Sequence, residues 1–476
     1  MPYINGHTVT LDNDQLTTVV NPATGKPAGK VYFASPKEMT AAIDAAAAAA
    51  EAWGATPPAQ REIILIRAAD IMEAKRQELV DILIDEAGST FGKAQFEVTY
   101  TVNIVRAVAG EARRIFGHVM PSDLPGLMSF AIRRPLGVVA GIAPFNFPLI
   151  LGTKKVVMAL ASGNAFVLKP SEETSLLSMK IAEVFHEAGL PPGVLNVVPG
   201  DGPTLGEVLV KDPRVKLIAF TGSSAVGRLL AVECAKYGKK IALELGGKSP
   251  VVVLKDADLD YAVNTAAFGI FIHQGQICMA GSRIIVEEPI YEKFLEKFVA
   301  KVKTLQVGDP RDPHTVIGPL IRGSQCGFID TRLKAAQSSG ARVLCGGGHS
   351  GQFFEPTVVA DVVPSMAVFR DELFGPVASV IKAKDPDHAM QLANDSSYGL
   401  SAAVLTNDLQ MAMKFALGIE SGSVHINSST IHDEAHIPFG GVKDSGIGKE
   451  GGQWSMEAMT ELKWVTIQLG QAHYPF

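Results

Sequence analysis

Between residues 138 and 245 the chain repeats one pattern: a short apolar, β-branched run followed by a helical stretch. Strand-like runs fall at 138–143, 165–169, 194–198, 217–220 and 241–245, with helical periodicity at 149–160, 175–188, 205–210 and 227–237. Runs without polar alternation are buried on both faces, and helical crossovers join strands that point the same way. The pattern predicts a parallel, doubly wound sheet in an α/β fold. Such a sheet binds ligands beyond the carboxyl ends of its strands.

One sheet of this kind does not use up 476 residues, so two or three domains are expected. A second alternation begins after Ser249, with strands at 251–254, 283–286, 342–345, 402–405 and 423–426. Its helices are predicted at 259–271, 291–303, 329–339, 387–395 and 410–416. The first forty residues read as short strands and turns. Ser35-Pro36-Lys37-Glu38 is then a capping box with Pro at the first helical position, starting a helix through the alanine run to Trp53. Further helical regions are expected at 58–86 and 95–116. The segments 120–134 and 462–468 read as outlying strands that can pair into a small sheet of the sort that joins subunits.

Composition excludes several classes. A net charge of -6 leaves no basic surface for nucleic acid. No run reaches the roughly 18 uncharged apolar residues that span a bilayer, and the opening residues lack a charged segment followed by an apolar one. The four cysteines, Cys234, Cys278, Cys326 and Cys345, form neither a disulfide framework nor a metal-ligand spacing, so no metal site is expected. A cytoplasmic enzyme without membrane or nucleic-acid partners is the expectation.

Two residues carry candidate chemistry. Cys278 follows a long apolar helical pattern in His273-Gln274-Gly275-Gln276-Ile277-Cys278, and Glu244 ends a buried strand in Leu243-Glu244-Leu245-Gly246-Gly247-Lys248. A thiol is a nucleophile as its thiolate, and a nearby carboxylate can take a proton from water. Either residue alone reads equally as inert core or as a solvated side chain. Thr221-Gly222-Ser223-Ser224-Ala225-Val226-Gly227 follows a strand and opens a helix, which offers unpaired N–H groups to a phosphate; a plain tight turn is the other reading. It is neither the G-x-G-x-x-G fingerprint nor a P-loop. Lys169-Pro170-Ser171-Glu172, at the end of a neighbouring strand, supplies a cation and a carboxylate for ribose hydroxyls or caps a surface helix.

Together these stretches resemble the aldehyde dehydrogenase superfamily along essentially the whole chain. The resemblance rests on Pro144-Phe145-Asn146-Phe147-Pro148, Leu168-Lys169-Pro170-Ser171-Glu172, Phe220-Thr221-Gly222-Ser223, Glu244-Leu245-Gly246-Gly247-Lys248, Gly275-Gln276-Ile277-Cys278, Glu372-Leu373-Phe374-Gly375-Pro376 and Pro438-Phe439-Gly440-Gly441. It implies two doubly wound units: a Rossmann-like NAD-binding domain at 1–119 and 137–246, and a catalytic domain at 247–443. It also implies a small β oligomerisation arm with the C-terminal segment at 120–136 and 444–476, giving a homodimer or homotetramer.

The family's roles carry over residue by residue. The resemblance makes Cys278 the nucleophile that forms a thiohemiacetal with the aldehyde and then a thioester. Asn146, with the Cys278 backbone N–H, stabilises the alkoxide, and Glu244 activates the hydrolytic water. Glu450 matches a position that assists proton movement, though it reads equally as a surface-helix Glu. Lys169, Ser171 and Glu172 match the adenosine ribose site, Gly222, Ser223 and Gly227 the pyrophosphate turn, and Glu372 and Phe374 the nicotinamide side. Leu245, Gly202 and Gln325 match further cofactor contacts. A carboxylate at Glu172 favours NAD and leaves NADP as the alternative.

Phe145 stands where many relatives carry Trp, and Ile277 where some carry a second Cys. With His432-Asp433-Glu434 and Thr460-Glu461-Leu462-Lys463-Trp464, these departures resemble the branch that oxidises benzaldehyde, salicylaldehyde or vanillin. Phe145, Phe147 and Ile277 are the expected substrate-pocket residues; the two phenyl rings fit either flank of a planar ring or the wall of an aliphatic site. Lys154 falls where relatives place a tunnel-lining aromatic, and the sequence gives it no role. A CoA-acylating relative is argued against by Glu244, and a non-catalytic protein on this fold need not keep Cys278, Glu244 and Asn146 together.

Overall fold

A computed structural model describes residues 1–10 and 16–476; residues 11–15 of the expected opening strands and turns lie outside the described residues. The expected alternation appears as two sheets. The first has eight strands in the order His7–Thr8, Tyr3–Ile4, Leu195–Val197, Ala165–Lys169, Val138–Ile142, Val215–Thr221, Lys240–Glu244 and Gly446–Ile447. Its five central strands run parallel, and Thr221 is directly beside Glu244 in register. The pairs at its two margins are antiparallel. Ala165–Lys169 is buried along its length, as a strand covered by helices on both faces must be.

The second sheet has seven strands in the order Arg342–Cys345, Thr357–Ala360, Val377–Ala383, Arg283–Glu287, Pro250–Val253, Ser401–Leu405 and Ser423–Ile426. All but the first pairing are parallel. Thr357–Ala360 and Val377–Ala383 were not expected from the sequence, although the second is a fully paired inner strand. Leu127–Pro135 pairs antiparallel with Thr460–Gln468 over nine residue pairs, so the two outlying segments do meet.

Three local expectations are corrected. The helical region at 58–86 is two helices, Pro58–Ala74 and Arg76–Ala87, broken at Lys75 with φ -93° and ψ 15°. The break re-aims the second helix so that Leu79, Val80, Leu83 and Ile84 are all buried. Cys278 is not at a helix end. The helix Leu259–Phe271 stops seven residues earlier, and His273, Gln274 and Gly275 take φ values of 50°, 56° and 70°. A Cβ at Gly275 would collide with the Gly375 carbonyl, so only glycine passes there. Finally, Gly446–Ile447, within the stretch assigned to the arm and C-terminal segment, adds a strand to the first sheet beside Leu243–Glu244.

Candidate active site

Asn146, Thr221 and Glu244 all come from the carboxyl ends of parallel strands in the first sheet, and Cys278 from the loop that faces them. Thr221 and Glu244 end adjacent strands, and Asn146 lies in the turn between Val138–Ile142 and the helix Pro148–Ala161. Two chambers of about 280 and 320 Å³ open on this point, and Asn146, Thr221 and Cys278 line both. The position is where an open α/β sheet binds ligands.

Asn146 is held from both sides. Its Nδ2 donates to Gln276 O at 2.9 Å, which leaves its second amide hydrogen uncommitted to that bond. Its carbonyl accepts from Lys93 Nζ at 2.8 Å. Lys93 also donates to Ser89 Oγ at 3.0 Å and to Glu97 Oε2, and both members of the Lys93–Glu97 pair are buried. The other Glu97 oxygen accepts from Leu149 N at 2.9 Å and Ile150 N at 3.2 Å, capping the first turn of the helix that follows Asn146. One ion pair thus fixes both the Asn146 backbone and the helix behind it. Sequence reasoning missed it: Lys93 and Glu97 four apart read as an ordinary solvated pair.

The Cys278 loop is stitched in the same way. Gln276 Oε1 accepts from Ile321 N at 3.0 Å, and Gln274 Nε2 donates to Gly88 O and Pro319 O. A Cβ at Gly247 would collide with Cys278 O, and one at Gly246 with Glu372 Oε2. The two glycines after Leu245 therefore let the base strand, the nucleophile loop and Glu372 crowd together.

Burial pushes the Cys278 thiol up to about 12, with the Glu372 and Glu244 carboxylates adding to the shift. Glu244 is driven well above the ordinary carboxylate range by burial and by Glu450, against the pull of Lys155, Lys154 and Lys449. Its Oε2 is buried with no hydrogen-bond partner among the described residues. Burial also disfavours the charge on Glu450, but Lys155 and Lys154 outweigh it and hold that carboxyl below its usual range. Lys155 Nζ donates to Glu450 Oε1 at 2.6 Å. Two carboxyls in one pocket are thereby split, with Glu450 carrying the charge and Glu244 the readier to hold a proton.

The smaller chamber collects most of the expected cofactor residues. Phe145, Ser223, Gln325, Glu372 and Phe374 line it. Ser223 caps the helix Ser224–Lys236, accepting from Val226 N. Glu372 accepts from Gly247 N at 2.9 Å, and burial raises its carboxyl to about 7. Gln325 Nε2 donates to Leu373 O. Lys169 and Glu172 form an ion pair at 2.6 Å, and a Cβ at Gly202 would stand 3.2 Å from that Glu172 oxygen. Gly222 and Leu245 are also in the lining. Five expected residues, Lys169, Ser171, Glu172, Gly202 and Gly227, are not in that lining; the Ser171 hydroxyl donates to Glu173, and Gly227 serves packing, since a Cβ there would collide with Leu245.

The larger chamber holds Phe147, Ile277, Phe268 and Ile431, with Glu244 and Glu450 at its wall. Phe145 corrects the expected substrate pocket. Its ring lies 5.8 Å from Phe374, edge to face, on the cofactor side, while Phe147 sits on the other side against His273. The chain turns at Asn146 into the helix that starts at Pro148, and the turn separates the two rings. Lys154, unassigned from sequence, is buried and donates to Asp433 Oδ2 at 2.9 Å.

Comparison with known proteins agrees with this geometry. The model of the aldehyde dehydrogenase family matches residues 9–465. The chain is 43% identical to a vanillin dehydrogenase of Corynebacterium glutamicum over 98% of its own length and 97% of the relative's. It is 40% identical to a benzaldehyde dehydrogenase [NAD(+)] of Pseudomonas putida, covering 97% and 95% of the two chains. The crystal structure of a salicylaldehyde dehydrogenase from Pseudomonas putida G7 complexed with salicylaldehyde superposes with a TM-score of 0.97 at 35% identity, covering 100% and 99%. The chain belongs to the aldehyde dehydrogenase family, and is an NAD(P)-dependent oxidoreductase acting on the aldehyde group.

The residues present fit such a dinucleotide. A capped helix N-terminus faces the chamber at Ser223, and the Lys169–Glu172 pair lies against a glycine with no side chain to block approach. Among the described residues no helix is long and apolar enough to cross a membrane.

Proposed function

We propose that this enzyme oxidises an aromatic aldehyde to its carboxylic acid with reduction of NAD, using Cys278 as nucleophile and Glu244 as the base for hydrolysis. The observation that carries the mechanism is the convergence of Cys278, Asn146 and the unpartnered Glu244 Oε2 on one chamber. The aromatic class is supported by the vanillin, benzaldehyde and salicylaldehyde dehydrogenases among its relatives.

Cys278, as thiolate, attacks the aldehyde carbon, and the carbonyl becomes an alkoxide in a thiohemiacetal. The free N–H of Asn146 and the Cys278 backbone N–H are the donors for that oxygen; such a donor is worth on the order of 10²–10³ in rate. When bound, the nicotinamide would supply the acceptor for the hydride that this carbon loses, and Cys278 would then hold the acyl group as a thioester. Glu244 then takes a proton from water, the water oxygen bonds to the acyl carbon, and the C–S bond breaks to return the thiolate. Glu450, held ionised by Lys155, raises the proton affinity of Glu244 as its charged neighbour and is the residue read as assisting proton movement out of the site. Lys169, Glu172, Ser223, Glu372 and Phe374 hold the cofactor, and Glu172 favours NAD over NADP.

The three-stranded sheet of His118–Met120, Leu127–Pro135 and Thr460–Gln468 is read as the arm of a homodimer or homotetramer, beside a dinucleotide domain at 1–119 and 137–246 and a catalytic domain at 247–443. Exposed Val119 and Trp464, at 86% and 69%, support that reading, and light scattering tests it. Four free thiols support a cytoplasmic setting.

The test of the mechanism is NADH formation from benzaldehyde. Cys278→Ala should form none. Glu244→Gln should release a burst of up to one NADH per subunit and then turn over about 10²–10⁴ more slowly than the parent. Steady turnover of Glu244→Gln at the parent rate overturns the assignment of the base.

A further inference from the structure

Beside its catalytic groups and Lys93, Thr221 and His432, the larger chamber carries one polar pair that the hydrolytic mechanism does not use. Tyr100, on the helix Phe91–Glu111, and Asp433, on the loop before Phe439, both line it. The Tyr100 hydroxyl and Asp433 Oδ1 are each shut off from solvent, and neither has a hydrogen-bond partner among the described residues. The other Asp433 oxygen is tied down: Lys154 Nζ donates to Oδ2 at 2.9 Å, with Lys154 only 1% exposed and its ammonium 5.0 Å over the Phe439 ring. A buried cation thus anchors one carboxylate oxygen of a residue that lines the chamber and leaves its twin without a partner. Burial, the Asp433 charge and the approach of the Asp433 carboxylate to the hydroxyl push the phenol of Tyr100 upward, so it stays a neutral O–H that faces that carboxylate.

Two enclosed polar atoms without partners disfavour the empty chamber and favour a ligand that supplies what both lack. Asp433 Oδ1 only accepts, and the Tyr100 hydroxyl both donates and accepts. An aliphatic chain would leave both unpaired, and a carboxylate would set a second anion against Asp433. A hydroxyl donates to Asp433 and accepts from Tyr100. Phe147, Phe268 and Ile277 line the same chamber, walls suited to the ring that would carry that hydroxyl.

We propose that Tyr100 and Asp433, the latter set by Lys154, are the specificity-determining pair that binds a ring hydroxyl of an aromatic aldehyde whose carbonyl reaches Cys278. This rests on the aromatic-aldehyde reading above and assigns the residues that choose within that class. A site built to hydrogen-bond a substrate hydroxyl discriminates against the analogue that lacks it far more strongly than an apolar wall discriminates by size.

The test compares kcat/KM for benzaldehyde with that for its 2-, 3- and 4-hydroxy isomers, in the parent, Tyr100→Phe and Asp433→Asn. The parent should prefer at least one hydroxy isomer over benzaldehyde, and each variant should lower that preference ratio by about tenfold or more. Asp433→Asn also removes the charge that faces Lys154, so Tyr100→Phe, which keeps the ion pair, is the decisive variant. A parent without preference, or a ratio that Tyr100→Phe leaves unchanged, overturns the inference while aldehyde oxidation stands. A parent that oxidises aliphatic aldehydes and no benzaldehyde overturns both readings.

Discussion

Glu372 is a lever on the nucleophile that can be altered while both reacting groups stay in place. Its Oε1 accepts from Gly247 N at 2.9 Å, and Gly247 in turn abuts the Cys278 carbonyl, so the carboxylate stands one residue's breadth from the thiol. Burial raises Glu372 to about 7, and its charge is the largest contribution after burial to the rise of Cys278 to about 12. The sign then depends on pH. Below 7 the Glu372 carboxyl is protonated and exerts no repulsion; above 7 it is ionised and opposes the thiolate. Unit charges at an effective dielectric of about 20 interact by about 4 kcal/mol at contact and less with distance, so a repulsion of about 1.4–2 kcal/mol is expected, or about ten- to thirtyfold in thiolate. The Gln of Glu372→Gln still accepts from Gly247 N but carries no charge. Iodoacetamide alkylation of ligand-free enzyme, read by mass spectrometry on the Cys278 peptide, should therefore match the parent near pH 6. The variant should pull ahead through pH 7 and lead by about ten- to thirtyfold by pH 8.5. A variant-to-parent ratio that stays flat across this range refutes the reasoning, and so does a parent rate that levels off below pH 9.

Two further predictions concern the frame and the cofactor. Lys93→Met leaves the Glu97 charge buried without its partner and should cost about 3–5 kcal/mol, lowering the thermal midpoint, whereas Lys93→Met with Glu97→Leu should cost less than the two single changes summed. A Lys93→Met midpoint equal to the parent's would show that the pair does not hold the Asn146 turn. Glu172→Gln removes the carboxylate that faces Lys169 and should raise the NADP-to-NAD ratio of kcat/KM by about tenfold, as one repulsion is relieved; an unchanged ratio would place selectivity elsewhere.

Much of the fold was legible because buried parallel strands announce themselves. Ala165–Lys169 and Lys240–Glu244 read as apolar runs, and their carboxyl ends led to Lys169 and Glu244. Val377–Ala383 escaped because Gly375-Pro376 precedes it and makes the stretch read as a turn, while its burial comes from flanking strands distant in sequence. The break at Lys75 has no glycine or proline to mark it. Within the site, the expected catalytic residues do line the chambers, as does Glu450. What could not be read was pairing through space. Lys93 and Glu97 share a helix face that only tertiary packing turns inward, and Lys154 meets Asp433 across 279 positions. The separation of Phe145 from Phe147 follows from the turn at Asn146, which two phenylalanines in sequence cannot report.

The strand Gly446–Ile447 sets a timetable for the enzyme. It pairs with Leu243–Glu244, and Ser445 Oγ donates to Gly246 O across 199 positions. During synthesis at about 5–20 residues per second, tens of seconds can pass between the appearance of the carboxylate and that of the strand that encloses it. Throughout that interval the margin of the first sheet is open, and water can reach the group whose burial sets its proton affinity. A nascent chain already carries its thiol and its base, yet it has no sealed compartment in which to use them. Competence arrives with Ser445–Ile447, so a chain that stops short of them holds the thiol and the base but no closed sheet margin beside Glu244.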